Sequence, residues 1–222
     1  MKTSILTILA YFIMCGVSYA SDVYITQSGA TLTADINQDG QTNKFGDSTT
    51  AVTLTGDTQT LDIDQIGNTN TIATSLIGAI QEFTLRQAGN SNTSTVSVGS
   101  NSAAGDNSII QTLTGSSNTT TVNVGNSAAS GDADIDLTAT GDSNTVTINE
   151  NSTATMIGSD KKVTSITAIG GSNTITSTHT GAADQDTTLH HTGASSTFAI
   201  TQGGAYDGTT SMTTVGSGHN VT

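Results

Sequence analysis

One glycine column fixes the kind of fold open to this chain of 222 residues. With Gly40, Gly67, Gly89, Gly115, Gly141, Gly170, Gly193 and Gly216 taken as equivalent, successive copies lie 22 to 29 residues apart. Four residues before each stand Ile36, Ile63, Leu85, Gln111, Leu137, Ile166, Leu189 and Met212. Three after it stand Asn43, Asn70, Asn92, Asn118, Asn144, Asn173, Ser196 and His219, and five after it Phe45, Ile72, Ser94, Thr120, Val146, Ile175, Phe198 and Val221. Columns that hold register over eight copies mark a repeat array, in which each unit buries its apolar face only against its neighbours.

Each copy reads as strand, tight turn, strand, looser turn. Between Leu61 and Ile72 the residues Leu61, Ile63, Gln65, Asn70 and Ile72 alternate with Asp62, Asp64 and Thr71, the period of two that belongs to a half-buried strand. The first set is expected inside and the second outside. The fold predicted is all-β, a β-solenoid of about eight two-strand coils of 22–29 residues stacked in parallel. At about 4.8 Å per coil it makes a rod roughly 40 Å long. In the tight turn, glycine is expected to supply positive φ and asparagine to bond the local backbone. The second turn falls near Gly29, Gly56, Gly78, Gly105, Gly131, Gly158, Gly181 and Gly204. Extra length collects there, from Gly99 to Asn107, Gly125 to Ala133 and Asn149 to Lys162, so the variable loops should share one edge. An inward amide alone is costly, but stacked in register each one donates to one neighbour and accepts from the other. The column of Asn43, Asn70, Asn92, Asn118, Asn144 and Asn173 is therefore expected to form a ladder.

Composition agrees with a thin, repeated core: hydrophobic residues make up 33% and aromatic residues 4%, and there is no proline. Residues 1–20, with Lys2, an apolar run from Ile5 to Val17 and Ser18-Tyr19-Ala20, read as a secretory signal peptide. The solenoid domain then spans 21–222 and is secreted, extracellular or at the cell surface. Its run is shorter than a membrane-spanning helix requires, so no membrane span is expected in the mature chain. Cys15 is the single cysteine and leaves with the signal, so no disulfide holds the mature rod. A net charge of −13, or −14 once Lys2 is removed, makes nucleic acid a poor partner.

Nothing in the sequence assembles a catalytic centre. The acids Asp35, Asp39, Asp57, Asp62, Asp64, Asp106 and Asp142 are scattered over turns and outward positions. His190 and His191 are adjacent on a strand and so point to opposite faces, unable to share a metal. His179 and His219 are expected to offer a weak surface site at most. A phosphate loop, a cysteine nucleophile and a Ser-His-Asp context are all missing. The chain reads as non-enzymatic, with no cofactor and no metal.

The segments Gln38-x-Gly40-x-x-Asn43, Gln65-x-Gly67-x-x-Asn70 and Gln87-x-Gly89-x-x-Asn92, with a partial Gln27-x-Gly29, resemble the repeats of curlins, the secreted subunits of bacterial curli amyloid fibres. The resemblance implies a β-solenoid that associates end to end into extracellular fibres for adhesion or biofilm matrix, with other fibre subunits or the cell surface as further partners. In later copies the glutamine position holds Leu113, Ala139, Ala168, His191 and Thr214, so the glutamine ladder is expected only at Gln38, Gln65 and Gln87.

A second reading comes from the outward positions. Thr93 and Thr95, Thr119 and Thr121, Thr145 and Thr147, and Thr174 and Thr176 form four consecutive Thr-x-Thr rungs. Such grids resemble those of monomeric β-solenoid ice-binding proteins, although threonine also suits strands for their own sake. Thr112-x-Thr114 and Thr138-x-Thr140 repeat the pattern on the opposite face, which favours the second explanation.

Overall fold

The computed structural model describes residues 21–40, 42–47, 49–78, 80–100, 107–126, 133–152, 161–181, 184–204 and 207–222. The predicted signal peptide 1–20 with Cys15, and the second-turn glycines Gly105, Gly131 and Gly158, lie outside the described residues. Every regular element among those described is a strand: β1 Ser21–Val23, β2 Thr26–Ser28, β3 Thr31–Asp39, β4 Thr42–Phe45, β5 Val52–Thr55, β6 Thr58–Ile66, β7 Thr69–Ile77, β8 Ile80–Ala88, β9 Ser91–Ser100 and β10 Asn107–Thr114. The remainder are β11 Ser117–Asn126, β12 Ala133–Thr140, β13 Ser143–Ser152, β14 Lys161–Ile169, β15 Ser172–Gly181, β16 Asp184–Thr192, β17 Thr197–Gly204, β18 Gly208–Val215 and β19 Asn220–Val221.

The strands form two parallel sheets, and the fold is an all-β solenoid of stacked coils. One sheet runs β3, β6, β8, β10, β12, β14, β16, β18; the other runs from β1 and β2, through β4 and β5, to β7, β9, β11, β13, β15, β17 and β19. The chain alternates between them. Six turns, from β6–β7 to β16–β17, are regular, with eight or more residues in each strand. The expected count of about eight coils is thus corrected to six regular ones, with an irregular turn at either end. At the first end the rung is split into β4 and β5 by the segment Gly46–Ala51, and at the last it shrinks to the two residues of β19. The variable segments 101–106, 127–132 and 153–160 lie outside the described residues, and each falls between a strand of the second sheet and the next strand of the first.

Alternation decides the core. Leu61, Ile63, Gln65, Asn70 and Ile72 are buried and Asp62 is exposed, as predicted. In-register pairing then stacks like on like: Leu85 lies over Ile63, and Ile148 over Val122. Phe45, Phe83 and Phe198 are the largest fully buried side chains among the described residues. One pair of core polar residues meets across a coil. Gln111, the exception in the apolar column before the turn, is 1% exposed, and its Oε1 accepts from Thr120 Oγ1 at 2.8 Å. Thr120 is itself an exception in the apolar column after the turn.

Candidate functional site

The tight turn joins two needs in one motif. Each turn glycine donates its N–H to the carbonyl just before the glycine of the next coil: Gly67 to Ala88, Gly89 to Thr114, Gly115 to Thr140 and Gly141 to Ile169, all at 2.8 to 2.9 Å. The asparagine three residues on sends Nδ2 to that same carbonyl: Asn70 to Ala88, Asn92 to Thr114, Asn118 to Thr140 and Asn144 to Ile169. Both lone pairs of an otherwise orphaned turn carbonyl are thereby used.

The same asparagines form the predicted ladder. Asn70 donates to Asn92 Oδ1 at 3.0 Å, Asn92 to Asn118 at 2.8 Å, Asn118 to Asn144 at 2.7 Å and Asn144 to Asn173 at 2.8 Å. Asn43 is buried in the column but bonds the carbonyls of Gln38 and Ile66 instead of Asn70. In the glutamine column Gln65 donates to Gln38 at 2.6 Å and Gln87 to Gln65 at 2.9 Å.

Glycine is required here for a different reason from the one predicted. Of the eight turn glycines, Gly170 (φ +150°) and Gly216 (φ +140°) lie in the region that disfavours side chains, with Gly40 (φ +159°) at its edge. At Gly67, Gly89, Gly115, Gly141 and Gly193 an added Cβ would overlap the carbonyl oxygen of the glycine one coil before. Close stacking of backbones, not left-handed φ, selects the residue. The second turn obeys the same rule at Gly56 and Gly78, whereas Gly125 has open space.

Two further buried groups escaped the sequence reading. Gln59, Gln81 and Asn107 stack in register as a second inward amide column. Extending the alternation to eight residues before the turn glycine would have found them. The histidines are corrected as well. His190 is exposed and His191 buried, as adjacent strand positions require, but His179 is 1% exposed, inside the core against Ser177 Oγ at 2.6 Å and Thr187 Oγ1 at 3.1 Å. His191 terminates the asparagine ladder: Asn173 Nδ2 lies 2.7 Å and Ser196 Oγ 2.8 Å from its Nε2. An amide nitrogen only donates, so Nε2 is the acceptor and the ring is neutral. Burial, and then the ring of His219 beside it, hold the His191 pKa below the usual imidazole value.

Outside the core, the two broad faces differ in charge. On the sheet that starts at β3, outward positions carry Asp35, Asp39, Asp62, Asp64, Glu82, Asp134, Asp136, Asp184 and Asp186, with Arg86 3.7 Å from Asp64. Asp62 is raised above the usual carboxylate range by partial burial and by Asp35 and Asp64. The opposite sheet, from β7 to β17, has no charged outward side chain among the described residues. Its centre is the predicted grid: Thr93, Thr119, Thr145 and Thr174 pair in register, as do Thr95, Thr121, Thr147 and Thr176. Thr71 and Thr197 extend the first column at its two ends. On the acidic sheet Thr112 and Thr114 do pair with Thr138 and Thr140, but Arg86 lies beside Thr112 and Ile169 beside Thr140. The threonine grid is thus extensive on one face only.

The segment between β4 and β5 stands on this uncharged face. It buries outward-pointing Ala73 to 6% exposure. Gly46, at φ +67°, starts the excursion, and Asp47 holds it by accepting from the Thr49 hydroxyl at 2.6 Å and the N–H groups of Thr50 and Thr49. Those bonds, the hydroxyl first, pull the Asp47 carboxyl down to about 2. Beside the segment lies an open cleft of about 570 Å³ lined by Lys44, Asp47, Ala51, Thr71, Thr93 and Thr95. Among the described residues no group of histidine, cysteine and carboxylate side chains could hold a metal, and no helix is long and apolar enough to cross a membrane. No family model, curated protein or solved structure matches this chain.

Proposed function

We propose that the chain is a secreted, non-enzymatic structural subunit, curlin-like in its repeats, which stacks end to end into extracellular amyloid-type fibres for adhesion or biofilm matrix. The observation that carries this reading is the state of β18. It pairs with β16 on one side and with no described strand on the other, and seven of its eight residues are exposed. At the opposite end β3 pairs, among the described strands, with β6 alone. Unpaired parallel strands present a row of free N–H and C=O groups to any matching edge. Partly buried Met212 on β18 at one end, and Val23 on β1 and Ile25 after it at the other, pack against the core.

Met212→Asp places a charge on the end of the core, over Leu189 of the last regular coil. The expected outcome is loss of filaments in negative-stain images, with the thermal melt of the rod changed by less than about 1 kcal/mol. Filaments of wild-type length from that variant would remove end-to-end stacking through β18.

A further inference from the structure

The uncharged face of the second sheet points to lateral association. We propose that this face, from β9 to β17, is an interface between two copies of the chain packed face to face about a two-fold axis. Charge selects the face. Nine carboxylates line the opposite sheet, so two rods approaching through it would bring like charges together. Through the uncharged face the arrangement reverses. Sheets pack about 10 Å apart, so three successive gaps set the two acidic faces roughly 30 Å from each other. That exceeds the screening length of about 8 Å at physiological salt, and the repulsion is largely lost.

Size is adequate. Five rungs at about 4.8 Å, by roughly 25 Å of strand, give about 600 Å² per copy and about 1,200 Å² in total. That is the lower end of specific interfaces. Threonine methyls at in-register spacing supply a corrugated surface that a second identical grid can interleave. Asn149 donates to Asn123 Oδ1 at 3.0 Å along the face, so these amides meet part of their hydrogen-bonding need before any partner arrives.

The ledge over Ala73 chooses the partner. It stands above the grid at the β4–β7 end, as the cleft between Asp47, Ala51 and the floor at Thr93 and Thr95 records. A flat lattice wider than the molecule, such as an ice plane, meets that ledge before it meets the grid. A second copy turned end for end places its own ledge beyond the far end of the first grid, and neither obstructs the other.

The pairing does not depend on end-to-end stacking, because width and length are separate readouts. Sedimentation velocity of residues 21–222 of the wild type is expected to show a pair of rods at micromolar concentration. Thr121→Glu with Thr147→Glu should weaken that pair at least hundredfold, whereas Thr138→Glu on the acidic face should leave it within twofold. A spin label on Thr147→Cys gives a second measurement that does not need the charged variant to fold. The expected separation is below about 20 Å, against more than about 30 Å for Thr138→Cys. Single rods at all concentrations, a charged pair as tight as wild type, or long distances at both labels would overturn the proposal. So would thermal hysteresis from single wild-type rods that is abolished by Thr121→Glu with Thr147→Glu, since the face would then bind ice.

Discussion

At Gly141 the backbone of one coil lies so close to the next that a single methyl group has nowhere to go. Gly141→Ala must push the Gly115 carbonyl out of the stack, and the expected cost is about 3 kcal/mol or more in denaturant unfolding. Gly125→Ala is the internal control: its Cβ would meet nothing within 4 Å, and the change should stay within about 0.5 kcal/mol. Equal effects at the two positions would mean that backbone flexibility, and not stacking distance, selects glycine. Asn118 tests the ladder at the same scale. It accepts from Asn92 and donates to Asn144 and to the Thr140 carbonyl, so Asn118→Leu strands amide groups above and below. The carbonyl keeps its bond from Gly115, which limits the loss to about 2–3 kcal/mol. A wild-type melting midpoint would remove the ladder from the account.

At the scale of elements, the last coils are the ones sensitive to acid. His191 is 2% exposed and is faced by Asn173 on β15, Ser196 before β17, Phe198 on β17 and His219 beyond β18. Because its folded pKa is depressed, the unfolded chain takes up the proton first as pH falls. Stability is whole above the ordinary imidazole value near 6.5 and declines below it, by about 1.4 kcal/mol per pH unit, until the folded ring also titrates. Hydrogen exchange of β16 and β18 should therefore speed up between pH 6.5 and 5 while β8 and β10 stay protected. A His191→Gln variant should lose that dependence, and uniform exchange across the rod at pH 5 would contradict it.

How much of these elements the sequence discloses follows from what alternation can encode. Inward Ile63 and Gln65 and outward Asp62 are legible because a strand has a period of two and a turn of fixed length keeps phase. The break at β4 and β5 is not legible in the same way. Gly46 and Asp47 shift the phase by an excursion whose path depends on Tyr24 and Val23 of the preceding rung. The inward position of His179 is not legible either, because it follows the turn by nine residues, where the repeat length is most variable and phase is hardest to carry. The asymmetry of charge between the faces appears only when outward residues of all coils are laid side by side, which needs register as well as period.

Taken whole, the two amide ladders run in opposite senses: the asparagine ladder donates from each coil to the next and stops at His191, the glutamine ladder donates back from Gln87 to Gln65 to Gln38, and the two end strands lack a described partner on one side. One broad face is acidic and the other uncharged. Those features suit a subunit that adds lengthwise through its ends and pairs through one side. The deciding measurement is fibre diffraction from residues 21–222 after incubation at neutral pH, with electron microscopy of the same sample. A meridional reflection near 4.8 Å from unbranched filaments is the predicted result, since stacked rods continue the spacing of their own coils across each junction. Short rods about 40 Å long that never join at high concentration would contradict the structural-subunit reading.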